Sequence, residues 1–266
     1  MIYLILIIIG IFLLYAVIEN AFMLCVRREK FGGDIKVVHI SDLHKKRFGK
    51  YNKRLCRIVE RESPDVIIIS GDLVSRSETN FETVGKTLEK LCRIAPVYMI
   101  FGNHEQSMLP EMQKKFLETV SLTDARLLRN ENDVFEKNGR RITIYGLEEH
   151  YEVYKKNGGY RDLEIITPED MQTYLGDIAD EEVWLIAHNP FFAESYSQWG
   201  ADVVFSGHVH GGSVRLFGRA ILSPERVFFP KNSKGVYEFG RTKLLVSAGL
   251  GKLRLFNPPE VVVYVI

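Results

Sequence analysis

Five short runs rich in Val and Ile each stop at a cluster of Asp, Asn or His, and this pattern restricts the fold more than any other feature. Ile35 to Ile40, Val66 to Ser70, Val97 to Phe101, Val183 to Ala187 and Val203 to Ser206 read as buried strands. Directly after them stand Ser41-Asp42-Leu43-His44, Gly71-Asp72, Gly102-Asn103-His104-Glu105, His188-Asn189-Pro190 and Gly207-His208-Val209-His210-Gly211-Gly212. Arg54 to Glu62, Val84 to Ile94 and Glu111 to Val120 carry apolar residues at helical spacing. Strand alternating with helix predicts an α/β sheet. Arg141 to Leu147, Thr242 to Ser247 and Val261 to Ile266 read as further strands, which predicts a second sheet packed on the first. The carboxyl ends of strands in open α/β sheets converge on one crevice, so the five clusters are expected on one rim.

The residue types at that rim point to metal chemistry. Five of the seven histidines lie in these clusters. Asp, neutral His and an Asn carbonyl suit Mn²⁺, Fe or Zn²⁺, and the absence of thiolates disfavours soft metals. Asp42, His44, Asp72, Asn103, His188, His208 and His210 are too many ligands for one ion and fit two divalent ions, with Mn²⁺ preferred. Two such ions outweigh two carboxylates, so the site stays positive and attracts a phosphoryl group. A pair about 3.5–4 Å apart can clamp a phosphate and ionise a bridging water near neutral pH. Each cluster alone has an ordinary explanation, a cap, a turn or a core histidine. Their conjunction in this order predicts a binuclear site.

Met1 to Ile18 contains no charged side chain, Glu19 is the first acid, and Ala21 to Val26 is again apolar. As a helix the first eighteen residues span about 27 Å, close to the hydrocarbon core of a bilayer. No basic residue precedes the run and no small-residue cleavage site follows it, so it reads as an uncleaved single-pass anchor rather than a signal peptide. Arg27, Arg28 and Lys30 lie on the C-terminal flank, which predicts a cytoplasmic catalytic domain. The expected organisation is an anchor over residues 1–26 and one domain over residues 33–266. The 35 Lys and Arg against 34 Asp and Glu leave a net charge of +1, which argues against a global grip on nucleic acid. Three widely spaced cysteines form neither a disulfide framework nor a zinc knuckle, and no protein partner is implied.

The five clusters, in their order, resemble those of the calcineurin-like metallophosphoesterase superfamily, over about residues 33 to 266. The resemblance implies a two-sheet β-sandwich flanked by helices, here preceded by the transmembrane helix. It implies that Asp42, His44 and His210 hold the first metal, that Asp72 bridges, and that Asn103, His188 and His208 hold the second. His104 matches a non-ligand histidine that contacts the phosphate and protonates the leaving group. Glu105 is then either an orienting group for His104 or a solvated loop acid. Ser247-Ala-Gly-Leu-Gly251 with Arg254, Asn257, Pro258 and Glu260 is similar to the ending of a membrane-anchored branch that includes phosphodiesterases and UDP-2,3-diacylglucosamine hydrolases. There Arg254 is a candidate phosphate contact, or else an ordinary ion-pair partner. Ser213 departs from the Gln more usual after the two glycines.

The implied activity is hydrolysis of a phosphodiester or pyrophosphate bond by a metal-bridging hydroxide, on a membrane-associated substrate such as a nucleotide-linked lipid. A phosphomonoesterase, a nucleotide phosphodiesterase on a soluble substrate and a non-catalytic membrane scaffold are the alternatives. Tyr151 to Arg161, with three tyrosines and three basic residues, reads as a lid against headgroups or as a solvated loop. Phe228-Phe229 reads as an exposed contact or as core.

Overall fold

A computed structural model describes residues 2–159, 162–223, 228–252 and 254–266. Among these, helix α1 (Ile2–Phe22) comes first, exposed along most of its length and, by length and composition, sufficient to cross a membrane. The first sheet contains β1 (Cys25–Lys30), β2 (Lys36–Ile40), β3 (Val66–Ile69), β4 (Val97–Met99), β5 (Arg126–Leu127) and β14 (Glu260–Val265). Its spatial order is β1-β14-β2-β3-β4-β5, parallel except for the β14–β2 pair. The second contains β6 (Glu131–Lys137), β7 (Arg140–Leu147), β8 (Glu182–Ala187), β9 (Val203–Ser206), β12 (Gly235–Phe239) and β13 (Thr242–Val246). Its order is β12-β13-β9-β8-β7-β6, with parallel strands inside and antiparallel pairs at both edges. A two-stranded hairpin, β10 (Val214–Leu216) and β11 (Arg219–Leu222), stands apart from both.

Side chains alternate across each strand, and this divides the core into three layers. Val37, Val66, Ile68 and Tyr98 point inward and meet Ile142, Ile144, Trp184 and Phe205 of the second sheet. Val38, Ile40, Ile67, Ile69 and Met99 point outward, against α2 (Lys53–Glu62), α3 (Glu82–Cys92) and, beyond the single turn α4 (Asn103–Gln106), α5 (Pro110–Ser121). Leu185, Ala187, Val204 and Val246 cover the other outer face with α6 (Pro168–Leu175) and α7 (Ala193–Trp199). Burial on both faces is why these strands read as continuous apolar runs rather than alternating ones. The fold is the expected two-sheet sandwich flanked by helices.

The chain between the expected anchor and the expected domain is not a linker. Cys25–Lys30 pairs in parallel with Glu260–Val265 as the edge strand of the first sheet, and Arg27 reaches Glu260 at 3.3 Å and the Val246 carbonyl at 3.0 Å. The end of α1 is also fixed to the sandwich. Glu19 is fully buried and accepts the backbone N–H groups of Phe256, at 2.9 Å, and Asn257. Asn20 donates to the Arg254 carbonyl at 2.7 Å and accepts the Arg254 N–H at 3.0 Å, and the Lys46 ammonium donates to the Asn20 carbonyl. The polar pair that interrupts the apolar run is therefore a clamp.

Candidate metal centre

Each site residue follows a strand end, as the sequence predicts, and five of them hold a backbone conformation that L-residues avoid. Asp42, His44, Asp72, His208 and His210 have φ of 51°, 49°, 52°, 68° and 54°. Such a turn throws the next side chain back over the sheet edge, and its strain, of order 1–3 kcal/mol per residue, persists only where packing enforces it. Gly102 and Gly249 supply that enforcement by close approach. A Cβ on Gly102 would lie 2.3 Å from Asp72 Oδ1, and one on Gly249 would lie 2.6 Å from Asp42 Oδ2.

Three overlapping groups result, each with ligand atoms within 4.8 Å of one another: Asp42, His44 and His210; His44, Asp72 and His104; Asp42, Asp72 and His188. Asp72 Oδ2 lies 3.5 Å from His188 Nε2 and 3.7 Å from His44 Nε2. His44 Nε2 is 3.4 Å from His210 Nε2, and the two rings stack. His210 Nε2 is 3.6 Å from Asp42 Oδ1, which also accepts the His208 backbone N–H at 3.1 Å. The His208 ring packs against His188, with centroids 5.1 Å apart. Asp42 Oδ2, Asn103 Oδ1 and His188 Nε2 are buried without a hydrogen-bond partner. Orphaned lone pairs on hard and borderline donors fit divalent cations, and Asp42, His44, Asp72, His188 and His210 of the expected ligands fall within the three groups, whereas Asn103 and His208 do not.

The ring nitrogens of His188 and His104 are committed in different ways. His188 Nδ1 donates to the Ser70 carbonyl at 2.7 Å, which turns Nε2 toward Asp72 and Asp42; against the cost of burial those carboxylates push its pKa up to about 10, so Nε2 keeps a proton that a bound cation would replace. His104 Nδ1 accepts the Arg76 N–H at 3.2 Å, so its proton sits on Nε2. One imidazole is thus set as a ligand and the other as a donor.

Burial opposes ionisation of Asp72, but His188, His44 and His104 outweigh it and hold the carboxyl well below the usual carboxylate range. Burial and the neighbouring Asp72 charge push Asp42 up to about 6, although His188 pulls the other way. Burial likewise lowers His44, to about 4, and His210, where His44 and Arg254 add to the effect. Both rings are therefore neutral at pH 7, the form a metal takes.

Arg254 is buried beside His210, with Nη2 3.4 Å from His210 Nδ1 and Nε bound to the Gly251 carbonyl at 2.9 Å. Its Nη1 has no partner. Glu105 is fully buried rather than solvated. Its carboxylate accepts the N–H groups of Asp72, Val74 and Gly102 at 3.0, 2.9 and 2.9 Å, and so ties two of the ligand turns together.

One residue at the site, Glu149, has no counterpart in the sequence reading. Buried Glu149 accepts from the Tyr154 hydroxyl at 2.8 Å, the Tyr196 hydroxyl at 3.2 Å and the Asn189 N–H at 3.2 Å. Tyr154 places its ring 4.9 Å from that of His208. The stretch read as a lid thus contributes a wall through Tyr154, while its Tyr160 and Arg161 lie outside the described residues. Phe228 and Phe229 are exposed, not core.

A sandwich with clustered Asp, His and Asn ligands at one edge defines a metal-dependent phosphoric ester hydrolase. Residues 35–212 match the Calcineurin-like phosphoesterase family, and the chain belongs to it. Among curated relatives, the phosphodiesterase YaeI of Escherichia coli is 26% identical, over 85% of this chain and 80% of its own length. The UDP-2,3-diacylglucosamine pyrophosphatase LpxG of Chlamydia muridarum is 25% identical, over 85% of this chain and 82% of its own. The crystal structure of phosphopantetheinyl hydrolase from Mycobacterium tuberculosis shares the fold at TM-score 0.53 and 15% identity, over 84% of this chain and 92% of that one.

Proposed function

We propose that this hydrolase cleaves a phosphodiester or pyrophosphate bond in a membrane-associated substrate such as a nucleotide-linked lipid. The observation that carries the reading is the position of Asp72, whose Oδ2 stands between His188 and His44 at 3.5 and 3.7 Å. A bridging carboxylate needs that place between two ligand groups. Asp42, His44 and His210 would hold one ion, Asn103, His188 and His208 the other, with Asp72 shared. Carboxylate and imidazole donors without thiolate favour Mn²⁺, then Fe or Zn²⁺. When bound, the ions supply Lewis-acid charge at the phosphoryl oxygens and a nucleophile ionised near neutral pH.

The chain's own groups complete the chemistry. His104 presents Nε2–H, first to a phosphoryl oxygen and then as the proton for the leaving oxygen. The free Nη1 of Arg254 offers a charged donor to a second oxygen. Glu105 keeps the Asp72 and Gly102 turns in register, so the bridging carboxylate does not reorganise during turnover. The relatives named phosphodiesterase and pyrophosphatase support the bond class. The apolar helix α1, followed by Arg27, Arg28 and Lys30, supports a single-pass anchor with the site on the cytoplasmic side.

The test is hydrolysis by the full chain, loaded with Mn²⁺, of bis-p-nitrophenyl phosphate, p-nitrophenyl phosphate and a UDP-linked lipid. Metal-dependent turnover of the diester or the lipid, lost in Asp72→Asn, is expected. Preference for the monoester would overturn the bond class. Turnover that survives Asp72→Asn would overturn the bridging role.

A further inference from the structure

Among the described residues, the sandwich carries one apolar cluster that its own core does not use. Phe217, Phe228, Phe229, Phe256 and Leu216 are 103%, 70%, 67%, 42% and 43% exposed. Other exposed large apolar residues outside α1, such as Leu109, Leu122 and Ile165, are scattered singly. Scattered exposure is ordinary, but a contiguous patch marks a contact surface. Phe217 and Gly218 form the tip of the β10–β11 hairpin with φ of 48° and 77°. Such a turn favours Asn-Gly, so a fully exposed aromatic there is strained and unhelpful in water.

The cluster is continuous with α1. Leu255 bridges the hairpin, accepting the Arg215 N–H at 3.0 Å and donating to the Ser213 carbonyl at 2.9 Å. The next residue, Phe256, stacks on Tyr15 at 5.3 Å and meets Phe12 at 5.9 Å. Phe12 precedes the helix end at Phe22 by almost three turns, about 15 Å along the axis. Since Glu19 and Asn20 clamp the helix, a bilayer that holds Phe12 reaches the level of Phe256 and the hairpin beside it. Behind the tip a cavity of about 520 Å³ is lined by Arg215, Arg219, Phe229, Lys231 and Lys234. Arg215 is occupied by the Gly211 and Gly218 carbonyls and Lys234 by Glu260 at 2.6 Å, whereas Arg219 and Lys231 stand exposed at the rim.

We propose that the β10–β11 hairpin and the Phe228-Phe229 pair dip into an anionic lipid surface beside α1, with Arg219 and Lys231 facing the headgroups. This rests on the reading of α1 as a membrane helix. Exposed aromatics gain by leaving water, and basic side chains near the surface gain from anionic headgroups. The consequence is that His210 and Arg254, joined to the hairpin through residues 211–213 and 255, open toward lipid rather than toward bulk solvent.

The experiment is tryptophan quenching by brominated acyl chains, with the full chain in nanodiscs of phosphatidylcholine and phosphatidylglycerol. Trp184 and Trp199 are buried, so the unsubstituted chain gives the background. Ile9→Trp in α1 reports the membrane reading, Phe217→Trp reports the hairpin, and Leu122→Trp, just before the strand at the opposite edge of the first sheet, is the exposed control. Phe217→Trp is expected to lose a share of emission comparable to Ile9→Trp, while Leu122→Trp loses none. Quenching of Ile9→Trp alone would overturn the hairpin proposal and leave the anchor standing. Quenching of neither would overturn both. In pure phosphatidylcholine the Phe217→Trp loss should fall, and Arg219→Glu with Lys231→Glu should lower it in the anionic discs. Quenching equal in both lipids would remove the anionic preference.

Discussion

His188 Nδ1 lies 2.7 Å from the Ser70 carbonyl oxygen, a contact that commits one ring nitrogen to the end of a strand in the other sheet. The other nitrogen is left facing two carboxylates. His104 has the opposite arrangement, and the two histidines should therefore separate cleanly on substitution. His188→Ala is expected to lower bound metal, measured by elemental analysis, along with turnover. His104→Ala should keep its metal and lose about 10²-fold or more in turnover. The loss should be smaller for p-nitrophenolate, which leaves without a proton, than for an alkyl alkoxide. Metal loss in His104→Ala would make it a ligand.

Gly102→Ala tests whether the close approach at Asp72 sets the site. The added Cβ would meet Asp72 Oδ1 at 2.3 Å, and neither backbone turn can yield without moving a ligand. Metal affinity should fall while the far-ultraviolet circular dichroism stays native. A metal titration indistinguishable from that of the unsubstituted chain would show that the turn has slack.

His39 gives stability a pH dependence separate from the ligands. It is fully buried between the sheets with Nε2 2.7 Å from Ser70 Oγ, and burial, aided by the Arg27 charge, pushes its pKa from 6.5 down to about 3. Between those values the unfolded chain binds a proton that the folded chain refuses. Stability therefore falls as pH falls from 6.5 toward 3, by at most about 1.4 kcal/mol per pH unit from this group. Thermal unfolding across that range, compared with His39→Gln, should show a steeper acid slope in the unsubstituted protein. Equal slopes would mean that His39 takes up its proton while folded.

Glu19 links the helix to the site through the loop at Asn257. Asn257 Nδ2 donates to the His210 carbonyl at 2.6 Å and to that of Gly212 at 2.9 Å. Glu19→Ala would strip two backbone N–H groups of their acceptor, at about 1–3 kcal/mol each. A lowered Tm and a several-fold drop in turnover are expected, with partial recovery in Glu19→Gln, whose amide oxygen still accepts. Unchanged Tm and turnover would reduce the clamp to a passive contact. For the same reason, deletion of residues 1–26 removes both the clamp and the start of β1.

The strands at the centre of both sheets were legible because burial on two faces leaves an uninterrupted apolar run, as in Val66–Ile69 and Val203–Ser206. Edge strands were not. Cys25–Lys30 and Glu131–Lys137 are mostly charged or polar, and only pairing with distant partners makes them strands. The candidate ligands stand out because each closely follows such a central run. Glu149 and Glu19 could not, since their partners lie far along the chain and an isolated acid carries no periodic signal. Helix α6 was also missing from the sequence reading, although Thr167 and Asp170 form a capping box around Pro168.

The placement of β14 bears on how the protein is made. This strand follows every other described strand in the chain, yet it lies between β1 and β2. Helix α1 precedes all the described strands, and the sheet beside it stays open until β14 arrives to fill the gap. Until then β1 has no partner, and Phe256 and Asn257, which secure the helix, have only just been added. A chain that stops short of β14 would carry its apolar helix complete and yet lack an interior strand of the first sheet.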